Sequence, residues 1–135
     1  MITWRRVVAS GAVWTLVYNL VWGVAWFAFM DRVWDDSVAA LGRPSPWTAP
    51  VWFLWVVLTV PMGVAIMAYA TSGAPARSAR TAALSASAAV WLLITVGMGA
   101  HSLSQGLPVR VIALDASVNL AGMLVASLAG AWSIH

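Results

Sequence analysis

Asp115, His101, Asn119 and Asn19 are polar side chains set inside long apolar runs, where proton relay, cation binding or acid-base catalysis is the chemistry open to them. An unpaired charge at the centre of a bilayer costs roughly 2.5 to 3.5 kcal/mol or more. Asp115 stands seven positions after Pro108. At 1.5 Å per residue that is about 10 Å into a helix starting at the proline, too deep for a short carboxylate to reach the interface comfortably.

His101 precedes the turn at Gly106 to Pro108 by nearly the distance at which Asp115 follows it, so the two can share a depth. A carboxylate beside an imidazole favours the charged form of each, and desolvation opposes it. Such a pair could relay protons, bind a cation or act as acid and base on a lipid-soluble substrate. It could equally be a hydrogen bond that pins the end of a hairpin. Arg110 diverges from Asp115 around the helix and is expected at the interface.

Helical spacing places Asp115, Asn119, Gly122, Ala126 and Gly130 on one face, polar at one end and small at the other. The small residues are expected to allow close packing. A comparable stripe near the N-terminus holds Gly11, Thr15, Tyr18, Asn19, Trp22 and Trp26. Asn19 lies as far from Met30 as Asn119 from Pro108, so the asparagines could meet in a bundle or bond separately. The expected ligand-binding set is Asp115, His101, Asn119, Asn19, Tyr18 and Trp22. His101 and Asp115 are the catalytic pair if the protein is an enzyme.

No cofactor or metal is expected. There is no Gly-rich phosphate loop, paired-histidine metal spacing, nucleophile elbow or pair of heme-ligating histidines. The chain has no cysteine, which removes thiolate catalysis and thiolate metal sites. The second histidine, His135, is expected to be solvated.

The elements that carry these residues follow from composition. The chain has 135 residues, 62% of them hydrophobic and 8% charged, with a mean hydropathy of +0.88. Those values lie outside the range of soluble globular domains. Four runs, about 7–30, 50–70, 80–104 and 108–134, are long enough to cross a core of roughly 30 Å, and in lipid only helices satisfy such runs internally. Thr48 and Pro50 mark a helix start. Pro61, between Thr59 and Gly63, could loosen the second run. The fold expected is a single domain over residues 1–135, an all-α integral membrane protein. It forms an antiparallel four-transmembrane-helix bundle with a short interfacial segment between helices one and two.

That segment, residues 31–49, carries Val33, Trp34, Val38 and Leu41 at amphipathic spacing. A Gly/Pro turn is expected from Ser72 to Ala79 and a tight hairpin from Leu103 to Leu107. Arg5, Arg6, Arg77 and Arg80 fall on one side of the four runs and Arg32, Arg43 and Arg110 on the other. The excess of positive charge favours both termini in the cytoplasm. Trp4, Trp34, Trp47, Trp52 and Trp132 lie near the run ends and are expected as interfacial anchors. The first run is too long, and ends in residues too bulky, for a cleaved signal peptide.

Two local patterns resemble a known family. Tyr18-Asn-Leu-Val-Trp22-Gly-Val-Ala-Trp26, leading to Trp34 and Ala40-Leu41-Gly42, resembles the opening of the short bacterial four-helix proteins of domain of unknown function seventeen sixty-one. The stretch from Gly106 through Asp115 and Asn119 to Leu128-Ala-Gly130-Ala-Trp132 is similar to that family's last helix. The Asp35-Asp36 pair and the abundance of tryptophan depart from the pattern. The resemblance implies a multipass membrane protein without an assigned reaction.

The leading functional expectation is a multipass protein of the bacterial inner membrane that binds or transports a small lipophilic or cationic ligand, coupled to protons or cations, through a polar pocket near the outer leaflet. The alternatives are a small membrane enzyme using His101 and Asp115, and a noncatalytic accessory or scaffold subunit. Expected partners are membrane lipids and further copies of the chain or a larger membrane complex, because small-residue faces favour association. The net charge of +3 sits in arginines at run ends, which fits membrane topology better than nucleic acid.

Overall fold

The computed structural model describes residues 3–72 and 77–134. The middle of the turn expected between Ser72 and Ala79, and His135, lie outside them. Every regular element among the described residues is a helix: α1 (Trp4–Ala25), a π turn (Trp26–Met30), α2 (Asp31–Ala39), α3 (Ala49–Thr71), α4 (Ala79–Ser104) and α5 (Val109–Trp132). Among the described residues four helices are long and apolar enough to cross a membrane, the first being α1, the π turn and α2 run together as Trp4–Ala39.

Local chemistry sets the helix ends. Thr48 is extended and Pro50 lies in the first turn of α3, where its missing N–H removes no intrahelical bond. Ser78 caps α4 by accepting from the Thr81 amide at 3.2 Å. After α4, Gly106 takes a φ of +85°, which lets the chain reverse before Pro108 opens α5.

The continuous first helix differs from the expectation that it ends at Asp31. Tyr18, Trp22, Trp26, Met30 and Trp34 recur every four residues. At 3.6 residues per turn such a row drifts about 40° around the helix at each step. The wider i→i+5 turn at Trp26–Met30 winds less per residue and takes up that drift. Trp22, Trp26 and Met30 therefore all stay buried, and Trp34 packs against the same core.

Helix α1 packs on α3 and α5, and α4 packs on α5 and α3. Helices α1 and α3 approach each other closely at two glycines. A Cβ built on Gly63 would stand 2.6 Å from Thr15 Oγ1 and 2.7 Å from the Gly11 carbonyl oxygen, and one on Gly11 would stand 2.7 Å from Val64 Cα. Gly63 thus serves helix contact, whatever Pro61 does to the ladder, and α3 continues through the proline to Thr71. On α5, a Cβ on Gly122 would press on Tyr18 and one on Gly130 on Met67 and the Ser10 carbonyl. The small-residue face that suggested partner chains is filled within this chain.

The half of the bundle holding both chain ends is joined by buried hydroxyls. Trp14 Nε1 donates to Ser127 Oγ at 3.1 Å, and Ser127 and Ser87 share a bond of 2.6 Å. Removing the hydroxyl with Ser127→Ala leaves the Trp14 indole and Ser87 without that partner. Interhelical bonds of this kind contribute about 0.6 to 1.7 kcal/mol in membrane proteins. The expected loss of stability is about 1 kcal/mol, measured by reversible unfolding in mixed micelles.

Candidate functional site

The opposite half of the bundle, toward the α2–α3 and α4–α5 connections, is dominated by tryptophan. Trp22 and Trp26, one helical turn apart on α1, stack at 5.1 Å with 15° between the rings. Trp52 meets them edge-on at 4.9 and 5.0 Å. Trp47, from the connection before α3, lies 5.1 Å from Trp26 and 5.7 Å from Trp22, and Trp34 joins it edge-on at 6.1 Å. Trp55, one turn beyond Trp52 on α3, completes a six-indole cluster at 5.9 Å from Trp22. Offset-stacked and edge-to-face pairs are the arrangements that the ring quadrupole favours.

Next to this cluster is a cavity formed by Trp22, Trp34, Trp47 and Trp55 on one side and by α4 and α5 on the other. Helix α4 contributes Trp91, Ile94, Thr95, Met98, Gly99 and Ser102, and α5 contributes Ile112, Asp115, Ala116, Asn119 and Met123. The space open to the centre of a water molecule is about 50 Å³. One water needs roughly 10 to 15 Å³ on that measure, so the cavity has room for a few waters or one compact headgroup.

Asp115 is the one ionisable residue in the lining. It is half-buried, and its Oδ2 accepts from Asn119 Nδ2 at 3.2 Å. The same amide donates to the Asp115 carbonyl at 2.9 Å, and Asn119 Oδ1 accepts from the Tyr18 hydroxyl. Tyr18 is buried completely and stacks on Trp14. A chain of hydrogen bonds thus runs from the core of α1 through Asn119 to the carboxylate. It fixes the rotamer of Asn119, and with the Trp34 indole standing beside the Asp115 carboxyl, acceptor sites on that group remain open.

The indoles differ in how they are satisfied. Trp91 Nε1 donates to the Ala116 carbonyl at 2.8 Å and ties α4 to α5 across the cavity. The Nε1 groups of Trp22, Trp34, Trp47 and Trp55 are buried without a hydrogen-bond partner. A buried donor left unmade costs about 1 to 3 kcal/mol. Among the described residues, the buried side-chain polar atoms without a partner are these four donors around one cavity.

Of the six residues singled out from the sequence as ligand contacts, Asp115, Asn119, Tyr18 and Trp22 come together here. The other two do not. His101 is exposed, and its neighbour Ser102 faces the cavity in its place. The expected pairing of His101 with Asp115 is not formed, because one residue is about 100° of helix rotation and turns the imidazole outward. Asn19 does not meet Asn119. It donates to Thr59 Oγ1 and to the Thr15 carbonyl, both at 2.8 Å, on the side of α1 that faces α3. Arg110 is exposed, as expected.

Sequence reasoning passed over Trp34, Trp47, Trp55 and Trp91. Two of them lie near run ends, where anchoring accounted for them, but only Trp4 and Trp132 among the five expected anchors are largely exposed, at 66% and 78%. The available signal was the spacing of Trp22 with Trp26 and of Trp52 with Trp55, which places ring on ring along a helix face.

Across the connections, Arg43 donates to Gln105 Oε1 at 3.0 Å and holds the segment before α3 against the α4–α5 turn. Comparison of the chain with models of known protein families finds no match, and comparisons with curated proteins and with solved structures find none either.

Proposed function

We propose that this chain is a multipass membrane protein that binds a small lipophilic cation in the tryptophan cavity, with Asp115 as its charged contact, and carries it in exchange for protons or another cation. The observation that carries the reading is the placement of one carboxylate, with unused acceptor sites, in a cavity walled by indoles. Aromatic rings attract a cation within about 6 Å of their centroids, by about 2 kcal/mol or more once desolvated, and an acidic residue adds the countercharge. In a span, a carboxylate without a basic partner is the usual mark of an ion or proton path.

The membrane setting belongs to the same proposal. The four helices would form an antiparallel bundle across a bacterial inner membrane, with α2 carrying the first helix on to the interface. Both termini would be cytoplasmic, which the arginines at positions 5, 6, 77 and 80 support, and the cavity would then lie toward the outer leaflet. Membership of domain of unknown function seventeen sixty-one is likewise proposed on the Tyr18 to Trp26 and Gly106 to Trp132 patterns. The enzyme reading loses its acid-base pair with the outward turn of His101.

The test is titration of the protein in nanodiscs with tetramethylammonium, read by tryptophan fluorescence. Saturable binding is expected, with affinity lowered at least tenfold by Asp115→Asn, an isosteric change that retains a bond to Asn119. Proton release on binding should disappear in the same variant. Equal affinity in Asp115→Asn, with the fold intact by circular dichroism, would overturn the reading.

A further inference from the structure

Beside the cavity, an apolar groove runs between α3 and α4, lined by Trp55, Leu58, Met62, Leu93, Gly97 and Met98 among others. It adjoins the cavity, with Trp55, Ile94 and Met98 forming the wall between the two. Its outer wall is open: Leu58 is 57% and Leu93 75% exposed. Gly97 contributes to that openness, because a Cβ built on it meets nothing within 4 Å. The groove is walled almost wholly by hydrocarbon, and its space open to the centre of a water molecule is about 300 Å³.

We infer that the occupant of this site is a single-tailed cationic amphiphile, an alkyl amine or alkyl quaternary ammonium, which enters sideways from the lipid between α3 and α4. Its charged head rests among the tryptophans against Asp115 and its tail lies in the groove. This rests on the proposed cation site and adds the tail and the route. Two observations converge on it independently. The cavity offers one negative charge and indole rings, complementary to a compact cation, and the groove on the other side of Trp55, Ile94 and Met98 is apolar and faces outward, which suits a hydrocarbon chain. A water-soluble cation would gain nothing from the groove. A neutral lipid would leave Asp115 unpaired.

The discriminating experiment measures binding of dodecyltrimethylammonium and of tetramethylammonium to the protein in phosphatidylcholine nanodiscs, with affinities for the tailed probe expressed as mole fraction in the lipid. Partition into protein-free nanodiscs is subtracted. The variants are the natural chain and Gly97→Leu, whose side chain projects into open groove and so leaves the helix contacts in place. Gly97→Leu is expected to weaken dodecyltrimethylammonium at least tenfold and to leave tetramethylammonium within twofold. Equal loss of both, or loss of neither, would overturn the tail site. Binding of dodecyl sulfate or decylubiquinone as tight as that of dodecyltrimethylammonium would overturn the cationic head. Absence of tetramethylammonium binding to the natural chain would instead strike the cation site on which the inference rests.

Discussion

Gly63→Ala is expected to destabilise the bundle by about 3 kcal/mol, while the same change at Gly97 is expected to be neutral or to stabilise it slightly. The two glycines lie on neighbouring helices of the same bundle and lose the same hydrogen atom. A methyl group on Gly63 would stand 2.7 Å from the carbonyl oxygen of Gly11 and 2.9 Å from Trp14 Cε3. The first is backbone and cannot swing away, so α1 and α3 must separate. That separation also strains the bond from Thr15 Oγ1 to the Thr59 carbonyl, 3.2 Å, and the bond from Asn19 to Thr59 Oγ1. Overpacking of a fitted interface costs about 1 to 3 kcal/mol and occasionally more, and the polar bonds at this contact place the estimate at the upper end. At Gly97 no atom is displaced, and alanine is the better helix former by up to about 1 kcal/mol. Steric-trap unfolding in bicelles measures both on one scale. Equal effects at the two positions would refute the account of the α1–α3 contact.

Much of this architecture could be read from the residues. The apolar runs set the helices because length and hydropathy are one-dimensional properties, and Thr48, Pro50, Ser78 and Pro108 act on their immediate neighbours. The expected start of the third run at residue 80 and the observed α4 (Ala79–Ser104) differ by one position. The first helix departs further. Whether Asp31 ends it depends on the π turn, and that turn is set by the packing of Trp26 and Met30 against other helices, which no local rule supplies.

The residues of the candidate cavity were legible in part by the same measure. Tyr18, Trp22, Asp115 and Asn119 share faces that helical spacing reveals, and the structure joins them. His101 and Asp115 could be matched in depth, but depth leaves rotation about the helix free, and α4 is turned so that Trp91 bonds the Ala116 carbonyl and Ser102 lines the cavity, which leaves His101 outside. The asparagines were also matched in depth and are separated by the same freedom: Asn19 turns to Thr59, and the adjacent Tyr18 takes the bond to Asn119. Trp47 belongs to no helix, so only the folded chain shows that it closes the cluster.

Trp22→Ala is expected to cost about 3 kcal/mol of stability and to remove measurable binding of tetramethylammonium. Trp22 is the centre of the aromatic cluster, 2% exposed and in ring contact with Trp26, Trp47, Trp52 and Trp55. Truncating a buried aromatic residue to alanine costs about 3 to 5 kcal/mol in water-soluble proteins. In the proposed bilayer setting the separated helices remain in hydrocarbon, so the transfer contribution shrinks and the lost van der Waals contact and the void remain, which argues for the lower end. The void would merge with the cavity beside Asp115, so the cation would lose a ring face and gain room to stay hydrated. Trp22→Phe retains a ring and buries no indole N–H, thereby removing one of the four unpartnered donors. It should therefore recover most of the stability and part of the binding. Unfolding and titration of the two variants in nanodiscs separate these contributions. If Trp22→Phe proves as poor a binder as Trp22→Ala, a ring face at this position does not hold the cation, and the part given to Trp22 in the site is overturned.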